Sequence, residues 1–270
     1  MRSTRFTRTA LVAIVAAGGL ATVAGPSLAG GGTNDGLRAQ PENLPDGMEV
    51  LERNAEAIGG RAAFEGIDTL KTVSTLEIPI AGISGTVTTY SAAPRKLKIV
   101  VDIPQFGRQS SGFIDGVAWS YSEIQGPQIL QGEQADQQRQ QADFYLAVEP
   151  GRLYASAETV GVEDVEGERC YKVELTTESG FEQTAWYSVD SGLQRKTAST
   201  TSSPQGEVTN ETVILEYMDV QGIKIPKRTR SLIAGTQEVL TMVEEAVADA
   251  DLPDDAFEMP EAVEEIAPTG

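Results

Sequence analysis

The stretch RKLKIVVDIPQFGRQSSGFIDGVAWSYS, residues 95–122, decides the fold. Its first part alternates: Leu97, Ile99, Val101 and Ile103 fall on one parity, and Lys96, Lys98 and Asp102 on the other. Successive side chains of a strand point to opposite faces, so this is a strand with one buried face. Pro104 to Gly107 turns the chain. Ser110–Ile114, Asp115-Gly116 and Val117–Ser122 then read as a hairpin, because a two-residue Asp-Gly loop matches the twist of antiparallel strands. Val117, Trp119 and Tyr121 share one parity.

The same phrase runs outward in both directions. Upstream, Leu70, Leu76 and Ile78 lie on one face of a first strand, and residues 83–92 form a second. Downstream, strands are predicted over 158–162, 169–177, 181–189, 193–201, 207–219, 223–233 and 238–248, each followed by a turn. Residues 126–145 interrupt the pattern. The Gln-rich run 131–141 is predicted to be a helix with Leu130, Gln134, Gln137 and Gln141 on one stripe. With Ile129, Leu130, Phe144 and Tyr145 it reads as a lid. Ahead of the sheet, Met48, Leu51, Ala55 and Ile58 share a helical face, with Asp46 as N-cap and Gly59-Gly60 as stop. A short helical turn follows at 61–65. The reading is a mainly β (α+β) protein: a large curved antiparallel sheet, or unclosed β-barrel, of about 11–12 strands, with an N-terminal helix and a helical lid.

Arg2, Arg5 and Arg8, the apolar run 10–23 and Ser27-Leu28-Ala29 have the layout of an export signal over residues 1–29. Residues 30–46 read as a flexible leader, 47–260 as one half-barrel domain, and 261–270 as a disordered acidic tail. No cysteine follows the signal until Cys170, so a lipid anchor at a new N-terminus is excluded. Cys170 is also the sole cysteine, which excludes an internal disulfide. The net charge of −19 becomes −22 without the three signal arginines, which argues against nucleic acid. The chain contains no histidine, which excludes Ser-His-Asp and Cys-His catalysis and His-bearing zinc sites. Without histidine Cys170 has no activating base and reads as a structural thiol.

Several short pieces carry a resemblance: Ala57-Ile58-Gly59-Gly60, Ala62-Ala63-Phe64 and the Leu70 strand; Gly126-Pro127 with Ala142-Asp143-Phe144-Tyr145; Gly167 with Cys170-Tyr171-Lys172-Val173; Asp190-Ser191-Gly192-Leu193; Gly222-Ile223-Lys224-Ile225-Pro226; and Asp254-Asp255-Ala256-Phe257-Glu258-Met259-Pro260. Together they resemble the LolA/LolB-like superfamily of bacterial outer-membrane lipoprotein-sorting proteins over residues 48–260. The resemblance implies an unclosed β-barrel lined with apolar side chains and lidded by helices. It also implies carriage of lipoprotein acyl chains or other lipids in the periplasm or, in a related branch, sensing of envelope stress.

The expected function is a periplasmic or cell-envelope lipid or lipoprotein carrier that holds acyl chains in its concave face. The alternative is a non-enzymatic envelope sensor or interaction module with a protein partner. Expected cavity-lining residues are Leu76, Ile78, Val87, Leu97, Ile99, Val101, Trp119, Tyr121, Val173, Leu175 and Tyr187. No cofactor, metal or nucleic-acid partner is expected, and the mature chain is not expected to span a membrane.

Overall fold

The computed structural model describes residues 44–203 and 206–268; the expected signal and nearly all of the leader lie outside them. Two helices open the described residues, α1 (Gly47–Ala57) and α2 (Gly60–Glu65). The Asp46 carboxylate accepts from the N–H groups of Met48 and Glu49, satisfying two donors that the first turn leaves free. Val50, Leu51 and Ala55 are the buried side of α1. The reversal after it needs glycine: Gly59 has φ 126°, and a Cβ there would meet the Gly222 carbonyl oxygen at 2.5 Å.

Thirteen antiparallel strands follow among the described residues. The first six are β1 (Thr69–Ile78), β2 (Ile83–Ala92), β3 (Lys96–Ile103), β4 (Gly107–Ile114), β5 (Val117–Ser122) and β6 (Gly126–Ile129). Helix α3 (Glu133–Gln141) and two 3-10 turns then lead to β7 (Tyr154–Val165). The remainder are β8 (Glu168–Thr177), β9 (Glu182–Ser188), β10 (Gln194–Ser203), β11 (Gly206–Val220), β12 (Ile223–Ile233) and β13 (Gln237–Ala248). The count exceeds the expected 11–12 because β6, a four-residue strand containing Pro127, is too short to show alternation.

Each strand pairs with its chain neighbours, and β1 pairs with β13, giving the order β6-β5-β4-β3-β2-β1-β13-β12-β11-β10-β9-β8-β7. The sheet does not close: β6 and β7 are free edges, and residues 130–153 run from one to the other. The interrupting segment predicted from sequence is therefore the connection across the gap of an open barrel. Its helix packs differently from the predicted stripe. Ala135, Gln138 and Ala142 face the core, whereas Gln134 is exposed. Spacings of three and four residues put the two alanines and Gln138 on one side.

One end of the concave face is plugged. Leu76, Ile78, Val101, Ile103, Phe113 and Ala118 pack with Ala142 of the connection. Near the opposite edge α1 covers Val173, Leu175 and Tyr187. The convex face carries its own cover, the C-terminal segment with α4 (Glu261–Glu264). Of the acidic tail expected over 261–270, residues 261–268 are described, and Val263 among them is fully buried against Ile114 and Trp119. Lys98 donates to the Asp255 carbonyl at 2.7 Å, and Tyr90 meets the Phe257 ring edge-on. Val263, with Phe257 and Met259 packed beside it, anchors an otherwise acidic segment.

Candidate functional site

Between the plug and α1 the concave face is not filled. A cavity of about 410 Å³ lies there, within the range of roughly 300–1,000 Å³ usual for small-molecule sites. Alternation along the strands builds its walls. Val87, Leu97 and Ile99 form an apolar patch beside Leu70 and Val243, and Ile214, Ile223 and Ile225 face it from β11 and β12. Between these lie hydroxyls. Thr72 sits opposite Thr89, Thr197 opposite Thr212, and Thr229 opposite Thr241.

The roof is residues 140–147 with Leu153, not the body of α3. Phe144 packs edge-on against Phe64 of α2 and against Tyr145, with ring centroids 6.1 and 5.7 Å apart. Its N–H donates to the Pro94 carbonyl at 3.1 Å. Ionic contacts hold the same segment. The Asp143 carboxylate, 6% exposed, accepts from Arg95 at 2.7 Å and Arg152 at 2.6 Å. Burial pulls its carboxyl upward, but the two guanidiniums outweigh burial and hold it below the ordinary carboxylate range. Arg152 also pairs with Glu149, and Arg61 of α2 pairs with Glu149 and Glu65. Arg61 lies over the Tyr145 ring, 5.3 Å from its centroid.

On the far wall, Gln183 lines the cavity while its amide donates to the Tyr154 hydroxyl. Burial raises the Tyr154 hydroxyl to about 12, against the opposing effect of the Gln183 bond. Lys227, at the cavity wall, is held 2.8 Å from Glu216. Among the described residues there is no group of three or more metal-ligating side chains.

The structure brings together only part of the expected lining. Val87, Leu97 and Ile99 line the cavity, and Phe144 closes it. Leu76, Ile78 and Val101 share that face but are packed into the plug, as is Leu130. Val173, Leu175 and Tyr187 lie on the concave face beneath α1 and do not reach the cavity. Tyr145 backs Phe144 rather than lining the space. Trp119, Tyr121 and Ile129 are on the opposite, convex face, under the C-terminal segment. The register explains it: Trp119 pairs with Gly112 and Gly112 with Lys98, so the indole shares the face of Lys98. The inward residue of β5 is Ala118, which pairs with Phe113 opposite Leu97. Sequence reading missed the hydroxyl rungs, although Thr72 and Ser74 share the parity of Leu70, and Thr89 and Ser91 that of Val87.

Cys170 is buried on the convex side with Val165 and Trp186. Burial raises its thiol to about 11, so it stays protonated and inert at neutral pH. No helix among the described residues is long and apolar enough to cross a membrane.

No protein-family model matches the sequence, and no curated protein matches it. Solved structures do match. A LolA superfamily protein from Nitrosomonas europaea is similar with a TM-score of 0.54 at 16% identity, over 80% of this chain and 99% of that one. A DUF1329 family protein from Desulfovibrio piger gives 0.55 at 13% identity, over 80% and 98%. An outer membrane lipoprotein-sorting protein domain from Vibrio parahaemolyticus gives 0.52 at 10% identity, over 79% and 97%. The chain has the open, curved antiparallel sheet of the LolA-superfamily fold.

Proposed function

We propose that this protein is a non-enzymatic binding or carrier protein of the cell envelope that shelters acyl chains of a lipid or lipidated protein. The observation that carries the reading is the cavity itself, roofed by residues 140–147 and floored by Val87, Leu97 and Ile99. Hydrocarbon placed there leaves water, worth roughly 0.8 kcal/mol per methylene before the costs of association. A twelve-methylene chain would gain roughly 10 kcal/mol on that scale, enough for binding without a charged anchor. The layout of residues 1–29 supports export, and the absence of histidine from the whole chain argues for holding rather than hydrolysis. Similarity of fold to a lipoprotein-sorting domain fits the same use. Entry would follow release of the roof beyond Ala142, where the contacts holding Asp143 and Phe144 are ionic and aromatic.

Native mass spectrometry of protein purified from an envelope fraction, followed by solvent extraction, tests this. A stoichiometric adduct of lipid mass is expected. Protein that carries no lipid and acquires none from mixed micelles contradicts the reading.

A further inference from the structure

The walls of the cavity narrow the class of ligand, if the acyl-binding reading above holds. An all-hydrocarbon guest would cover the hydroxyls of Thr197, Thr229 and Thr241, which have no hydrogen-bond partner among the described residues. Covering an unbonded hydroxyl costs about 1–3 kcal/mol, so three of them would remove much of the gain from the chain. Thr212 differs, since its hydroxyl is bonded to that of Ser231 at 2.9 Å. Thr72 and Ser74 of β1 and Thr89 and Ser91 of β2 also line the space without side-chain partners among the described residues, so hydroxyls border the apolar patch and also face it from β10, β12 and β13. The cavity therefore offers hydrocarbon contact and hydroxyl partners on the same walls, with Thr197 and Thr229 across the sheet from Val87, Leu97 and Ile99.

Charge is the second constraint. The ionisable side chains that line the space are Asp143 and Lys227. Asp143 is neutralised by Arg95 and Arg152, and Lys227 by Glu216. The wider roof network sets three guanidiniums, Arg61, Arg95 and Arg152, against three carboxylates, Glu65, Asp143 and Glu149. A carboxylate or phosphate head entering the cavity would meet no unspent cation, and burying an uncompensated charge is far costlier than burying a hydroxyl.

We propose that the ligand is an uncharged amphiphile, an acyl ester of a polyol, with its chain on Val87, Leu97 and Ile99 and its hydroxyl-bearing head buried against Thr197, Thr229 and Thr241. Recognition then comes from hydroxyl pairing inside the cavity, with no ionic contact at its mouth.

The test compares monomyristoylglycerol, myristate and lysophosphatidylglycerol with the same chain, each below its micelle concentration, by displacement of a fluorescent lipid probe from the full chain. Monomyristoylglycerol is expected to bind at least tenfold tighter than either anion. A Thr197→Val and Thr229→Val double variant, checked for an unchanged melting temperature, should lose about tenfold for the glycerol ester and stay within twofold for myristate. Should that variant unfold, each single substitution gives the same comparison with a smaller loss. Equal or tighter binding of an anion, or an affinity for the ester that ignores the hydroxyls, overturns the head-group assignment and leaves the carrier reading standing. Failure of all three amphiphiles to bind overturns both.

Discussion

Arg95, immediately before β3, donates a 2.7 Å hydrogen bond to Asp143 in the roof, tying the sheet to the segment that covers its concave face. Arg95 and Arg152 hold the Asp143 carboxyl below its unfolded value, so the bond stabilises the folded state above a pH of about 4 and is lost as pH falls further. Asp143→Asn should lower stability at pH 7 by about 1 kcal/mol, since the arginines are partly exposed. Thermal melts of the two proteins should differ by a few degrees at pH 7 and converge toward pH 3. A difference that grows on acidification would refute the assignment.

The plug and the cavity wall predict opposite mutational signatures. Ile78 is 1% exposed among close-packed neighbours, so Ile78→Ala should cost about 3–4 kcal/mol with little effect on ligand affinity. Ile99 borders space that is already empty, so Ile99→Ala should cost nearer 2 kcal/mol while weakening binding. Urea unfolding paired with probe displacement separates the two.

Trp119 reports on the C-terminal segment. Val263 packs fully buried against it, so Val263→Asp should free residues 254–265 from the sheet. Burying the new carboxylate is the alternative, and it costs more than release. In a Trp186→Phe background the remaining indole emission should shift to the red. Unchanged emission would mean that another contact covers Trp119.

Cys170 should resist alkylation. With its thiol raised to about 11 and its side chain buried, iodoacetamide at pH 8 should label it only in denaturant. Labelling of the native protein at the rate of a free thiol would contradict its placement.

The sheet was legible in the sequence because strands such as Lys96–Ile103 alternate cleanly and turns such as Asp115-Gly116 permit little else. The lining was half legible. Parity alone places Val87, Leu97 and Ile99 on the concave face, but it does not say where along a strand the core ends and the cavity begins. Leu76 and Ile99 share a face and differ only in what packs across from them. Shared parity groups Trp119 with Val117 and Tyr121 but does not say which face of the sheet that parity meets. Two faces of this sheet are covered, so size does not tell them apart. The two-residue loop after Ile114 already set Trp119 opposite Gly112, and that pairing was the better guide. The hydroxyl rungs are hard to read from sequence, because β-propensity alone accounts for threonine in a strand.

The central claim, that an acyl chain occupies the space above Val87, Leu97 and Ile99, is tested most directly by methyl NMR with a spin label on the chain of a bound monoacylglycerol. Methyl signals of Val87, Leu97, Ile99 and Ile214 should broaden, while those of Ile78, Val173 and Leu175 persist. Broadening confined to the exposed Ile80 and Ile124, or to Val173 and Leu175, would contradict it.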